Sequence, residues 1–154
     1  MSQPAISLLH ETGKPDAPLA PVAEASGWRT HGPGALVLVL ILATTLVRVA
    51  AGWLMGLGVD ESYVVAAGRT LHWGYFDHPP AVWWLSWAAA HLTGTDAAPI
   101  VRLPFIALFA LSTWLMFRLT ATLYGARAGL WAAIGVNLAP VFAVTTGGWV
   151  LPDG

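Results

Sequence analysis

The stretch Ala35 to Leu57, ALVLVLILATTLVRVAAGWLMGL, decides the class of fold. Its 23 residues include seven Leu, four Val and one Ile, and Arg48 is the single charge. Wound as an α-helix it reaches roughly 34 Å at about 1.5 Å per residue, enough for a hydrocarbon core of about 30 Å. The aliphatic side chains favour insertion by about 0.5 kcal/mol each, roughly 6 kcal/mol together, against about 3 kcal/mol for an arginine near the centre, whose long stem also lets its head snorkel. The apolar side wins, and the segment is expected to span a membrane. A secretory signal peptide would need a shorter apolar core nearer the start, so a retained signal anchor fits better.

The rest of the chain agrees. Of 154 residues 56% are hydrophobic and 10% charged, and the mean hydropathy is +0.65, values that exclude a water-soluble globule. A formal net charge of -1 leaves no basic surface to neutralise nucleic-acid phosphates, so nucleic acid is excluded as a partner. With no cysteine there is neither a disulfide framework nor a thiol nucleophile.

Residues 1–33 hold five of the eleven prolines among Ala, Ser and scattered charges, and are expected to form a disordered cytoplasmic tail. Residues 34–154 then form a membrane domain, with spans at 35–57, 101–124 and 128–151. Between the first two spans lies a loop, 58–100, carrying two short helices. One is Ser62 to His72. The other, Pro79 to Leu92 (PPAVWWLSWAAAHL), has 14 residues, a length suited to an interfacial segment rather than a crossing. Trp83, Trp84 and Trp87 on it prefer headgroup depth. Lys14 and Arg29 precede the first span, and Arg118 and Arg127 flank the Tyr124-Gly125 turn. Positive charge favours the cytoplasm, which puts the N-terminus and that turn inside and the 58–100 loop outside. The reading is an all-α, multi-pass membrane protein of about three transmembrane and two juxtamembrane helices, located in the cell (inner) membrane.

Two constellations can carry chemistry. Asp60-Glu61 follows the first span directly, where an apolar surface meets water. On local pattern the pair can simply cap a helix; alternatively one carboxylate accepts a proton from an incoming hydroxyl while its neighbour binds metal or substrate. The second is Trp73-Gly74-Tyr75-Phe76-Asp77-His78-Pro79-Pro80. There Asp77 and His78 can cap the following helix, or Asp77 can hold a divalent cation and His78 contact phosphate. Arg69 can bind a lipid phosphate or anchor at the interface, and for Arg102 anchoring is the plain reading. Asn137 and Pro140 suggest a kink in the third span. Asp153 has helix capping or solvation as its default.

Asp60-Glu61, Tyr75-Phe76-Asp77-His78-Pro79-Pro80, Arg102-Leu103-Pro104, Leu123-Tyr124-Gly125 and Leu151-Pro152-Asp153 occur in that order. In this order the chain resembles, over about residues 35–154, the N-terminal part of the protein O-mannosyltransferase and aminoarabinose transferase superfamily. These are glycosyltransferase family 39-like enzymes of GT-C fold that use polyprenyl-phosphate sugars. The resemblance implies an inverting glycosyltransferase with its active site outside the cytoplasm and Asp60 as the principal catalytic carboxylate, joined by Glu61. Arg69, Tyr75, Asp77, His78 and Asp153 would bind substrate. Some members carry arginine in place of Tyr63 and lysine in place of His78, which leaves phosphate neutralisation to a protonated His78 or to a metal. The implied partners are a polyprenyl-phosphate sugar donor, membrane lipid and an acceptor protein, lipid or glycan. A divalent metal (Mg, Mn or Zn) held by Asp77 and no organic cofactor complete the expectation. Because such enzymes have many more helices, the 154 residues are expected to be an N-terminal fragment inactive by itself. The competing reading is a complete three-span scaffold or assembly partner that binds lipid through its Trp-rich loop.

Overall fold

A computed structural model describes residues 32–76, 78–142 and 148–151. The expected tail, except for its last two residues, lies outside them, as do Asp77 and Asp153. The described chain is helical, with α1 Pro33–Leu54, α2 Val59–Ala67, α3 Ala81–Thr93, α4 Ala98–Tyr124 and α5 Ala126–Leu138. Two of these, α1 with 22 residues and α4 with 27, are long and apolar enough to cross a membrane; at about 1.5 Å per residue they reach roughly 33 and 40 Å.

Proline and glycine set the boundaries. Pro33 opens α1 and Pro99 stands in the first turn of α4, where a missing N–H costs nothing. This carries α4 three residues further back than the expected start at residue 101. The chain leaves α1 at Met55 in an extended conformation, so the glycine-bearing end of the expected first span, Gly56 included, is linker. The helix expected at Ser62 to His72 starts and stops earlier, as Val59–Ala67, because Gly58 is its N-cap and Glu61 reaches back to the Gly58 N–H, the reciprocal contact of a capping box.

α1, α4 and α5 pack as a bundle. Gly34, near the start of α1, lies against the Phe117 ring near the end of α4, while Gly52 lies against Pro99 and Arg102 at its start, so these helices are antiparallel. α4 and α5 form a tight hairpin through Gly125, whose φ of 91° is unfavourable for a side chain. One turn later, a Cβ on Gly129 would sit 2.7 Å from the Phe117 carbonyl oxygen; only glycine permits that approach. Val37, Phe117 and Ala133 form the core at this end of the bundle. Val64, Trp83, Val101 and Val150 form a second core at the other end, tying α2 and α3 to the start of α4.

Polar groups in the apolar helices turn inward. The Arg48 guanidinium sits over the Phe109 ring at 4.4 Å from its centroid, so it spends its charge on a π-face within the bundle instead of snorkelling. Asn137 donates to Thr113 Oγ1 at 3.1 Å and to the Ala133 carbonyl at 3.0 Å, joining α5 to α4. α5 ends one residue later, because Ala139 is extended (φ -63°, ψ 120°), as expected of the residue before a proline. The helix thus ends at Leu138, within the segment 128–151 expected to span. At 13 residues α5 alone reaches only about 20 Å, short of a crossing, and the helix is interrupted at Ala139, between Asn137 and Pro140 where the sequence suggests a kink.

Candidate functional site

The linker Met55 to Gly58, the first turn of α2, the first turns of α4 and the Trp149-Val150 backbone meet at one end of the bundle. Glu61 holds them together. It is fully buried at the third position of α2, which aims it back across the linker. Arg102, 2% exposed, donates from Nε to Glu61 Oε1 at 2.7 Å and from Nη2 to Oε2. This is the two-pronged geometry in which a guanidinium matches a carboxylate best. Two further donors of Arg102, from Nη1 and Nη2, go to the carbonyls of Met55 (3.2 Å) and Gly56 (2.9 Å), which the end of α1 leaves unsatisfied. Glu61 also accepts the N–H of Gly58 at 2.8 Å and of Val150 at 3.0 Å. The Trp149 ring covers the guanidinium, with its centroid 5.5 Å from Cζ.

Burial would push the Glu61 carboxyl up. The hydrogen bonds from Arg102, Gly58 and Val150, with the arginine charge, outweigh it and hold the group below the usual glutamate range. A carboxylate so engaged is a charged anchor, with its lone pairs committed to protein donors.

Asp60 is placed differently. One residue earlier on the same helix, about 100° around, it is exposed, and Glu61, not Asp60, makes the capping contact. The clamp around Glu61 fixes the backbone that carries Asp60 while leaving its side chain exposed.

The aromatic loop packs on Trp83, which is fully buried. Tyr75 stacks on it at 4.4 Å and 11°, and donates its hydroxyl to the Thr70 carbonyl at 2.9 Å. Tyr63 meets the same indole edge-on at 6.4 Å, and the His78 ring lies 6.0 Å away. Tyr75, His78 and Tyr63 therefore share one aromatic platform. Arg69 does not join them, because it pairs with Asp96 at 3.4 Å on the exposed side of the α2–α3 cleft. Among the described residues no three of His, Asp and Glu come together to hold a metal.

Sequence reasoning missed Arg102 as the partner of Glu61 and the Val150 N–H as its fourth donor. A buried arginine in the first turns of an apolar helix was the available signal for Arg102; nothing in the sequence links it to a glutamate 41 residues earlier. The Val150 contact is made by backbone, which leaves no mark on residue type.

No curated protein matches the chain, and no solved structure matches it either. Residues 77–152 match the family model of dolichyl-phosphate-mannose-protein mannosyltransferase. The matched segment opens on the Asp77-His78 pair and contains Trp83, Arg102 and Val150, three of the residues that build the clamp and the platform. Two membrane-length helices accompany the match, and over residues 77–152 the chain is similar to the dolichyl-phosphate-mannose-protein mannosyltransferase family.

Proposed function

We propose that this chain carries the catalytic carboxylate of an inverting, GT-C-type glycosyltransferase that moves a sugar from a polyprenyl phosphate to an acceptor hydroxyl or amine outside the cytoplasm. The observation that carries the reading is the contrast between adjacent carboxylates, Glu61 buried and fully engaged and Asp60 exposed on a backbone held from four directions.

Asp60 takes the proton of the acceptor O–H or N–H as the acceptor attacks the anomeric carbon. The bond from that carbon to the phosphate oxygen breaks, and its electron pair leaves on the phosphate. A single displacement inverts the anomeric centre. The leaving group is already a stabilised anion, so a strong general acid is less necessary than positive charge near the phosphate. His78, beside Trp83, supplies contact to the phosphate, and Tyr75 supports the platform. Asp77 and Asp153, which lie outside the described residues, are assigned to donor binding on the family resemblance, and Asp77 is the residue that would hold a divalent cation. Glu61 is a positioning residue.

An apolar groove of about 390 Å³, lined by Phe105, Phe109, Met116, Val136 and Trp149, suits an isoprenoid chain. Its end at Trp149 adjoins Arg102. We further assign α5 to the start of a third crossing. The Val150–Glu61 bond supports this assignment, because it returns the chain to the end of the bundle where α1 stops and α4 starts.

Photo-crosslinking with a polyprenyl-phosphate probe tests the donor site. His78→Ala should reduce labelling several-fold while Asp60→Asn leaves it near wild type. Undiminished labelling of His78→Ala removes His78 from the site.

A further inference from the structure

A polar cleft of about 470 Å³ opens between α2 and α3. Val65 and Ala90 line it with apolar surface, and Arg69, Ser86, His91 and Asp96 bring polar groups to it. Arg69 and Asp96 face each other at 3.4 Å with side chains 74% and 54% exposed. A pair so open to water holds its partners weakly, so each charge is open to a ligand of opposite sign. Ser86 is 2% exposed, yet its hydroxyl has no hydrogen-bond partner. A buried hydroxyl in that state gains from any polar atom brought to it. His91 is fixed by its Nδ1 contact with the Trp87 carbonyl at 3.0 Å and by stacking on the Trp87 ring at 4.0 Å, which gives the cleft a rigid aromatic wall. Tryptophans such as those of α3 prefer headgroup depth, the level at which a phospholipid headgroup would meet this wall.

The geometry points to a binding site for the phosphoethanolamine headgroup of a membrane phospholipid. Arg69 takes the phosphate oxygens and Asp96 the ammonium. The Ser86 hydroxyl donates to a phosphate or ester oxygen, and Val65 and Ala90 take the first methylenes of the lipid. Opposite charges at one mouth select a zwitterion over a purely anionic lipid, which Asp96 repels. Asp96 also needs an N–H donor, and a quaternary ammonium has none. This site is separate from the donor site and does not rest on the glycosyltransferase reading; it gives Arg69 a different phosphate from the one its sequence position suggests.

Native mass spectrometry of the purified full chain in detergent tests the assignment, with dioleoyl phosphatidylethanolamine, phosphatidylcholine and phosphatidylglycerol titrated in turn. Phosphatidylethanolamine should bind about tenfold more tightly than either of the others, the worth of one charge-assisted hydrogen bond. Arg69→Gln and Asp96→Asn should each remove that preference, and Ser86→Ala should weaken it several-fold. Equal affinity for the three lipids in the wild-type chain overturns the proposal without recourse to any variant. A preference for phosphatidylglycerol that Asp96→Asn strengthens overturns it in favour of a plain anion site. Competition by soluble phosphoethanolamine at the same concentration as the lipid overturns the lipid as the occupant.

Discussion

Glu61 and Arg102, 41 residues apart in sequence, form a buried bidentate ion pair that ties the end of α1, the start of α2, the start of α4 and the Val150 backbone into one junction. Removing one partner strands the other charge in the interior, whereas replacing both by apolar side chains of similar volume does not. Arg102→Ala should cost about 3–5 kcal/mol of stability. The double variant Glu61→Leu/Arg102→Met should recover most of that. Reversible unfolding in mixed micelles, followed by circular dichroism, measures both; a single variant as stable as wild type would show that the pair holds nothing together.

The same pair sets a pH dependence. The Glu61 carboxyl titrates below its usual range in the folded chain, so its contribution is fully present above the ordinary glutamate value of about 4.3 and is lost as pH falls through the depressed folded value. The stability advantage of wild type over Glu61→Gln should therefore be level from neutral pH to about pH 5 and shrink below about pH 4.3. Unfolding midpoints of both proteins across that interval check the sign. An advantage that grows on acidification would mean that the group is held above its usual range.

The α4–α5 hairpin depends on Gly129, where an added Cβ meets the Phe117 carbonyl oxygen at 2.7 Å and its ring at 2.9 Å. Gly129→Ala should destabilise by about 1–3 kcal/mol, the usual cost of overpacking, while Gly135→Ala, with nothing near its added methyl group, should not. Equal melting temperatures for the two variants would contradict the close approach.

The lengths of the helices also set the topology. α3 has 13 residues and lies between two membrane-length helices, so cysteines placed at Ser62 and Thr95 should react with an impermeant maleimide from the same side. A cysteine at Ala126 should react from the other. Labelling of Ser62 and Thr95 from opposite sides would mean that α3 crosses.

Hydropathy and length made the two membrane-length helices legible, because a long apolar segment has few other ways to satisfy its backbone in lipid. The two short helices of the loop were legible too, although their ends were not. Glu61 moved the start of α2 by reaching back to Gly58, and Pro140 stopped α5 through the residue before it. The acidic pair Asp60-Glu61 was visible as a site but not its division of labour, which depends on Arg102 arriving from a helix far along the chain. Local pattern also offered a capping role for this pair, and the structure gives it to Glu61. Arg69 and Asp96 face one another only once α3 has folded back on α2, so neither residue announced the cleft they share.

The central claim is that Asp60, exposed beside the anchored Glu61, is the base. Sugar transfer from a polyprenyl-phosphate donor, measured in membranes from cells whose own gene carries Asp60→Asn, tests it most directly. The substitution keeps the side-chain volume and leaves the Glu61 clamp intact, so protein level and unfolding midpoint should match wild type. Turnover should fall by roughly two to four orders of magnitude, the usual worth of a positioned base. Turnover within a few-fold of wild type in Asp60→Asn, with Glu61→Gln inactive at normal stability, would contradict the account and make Glu61 the catalytic carboxylate.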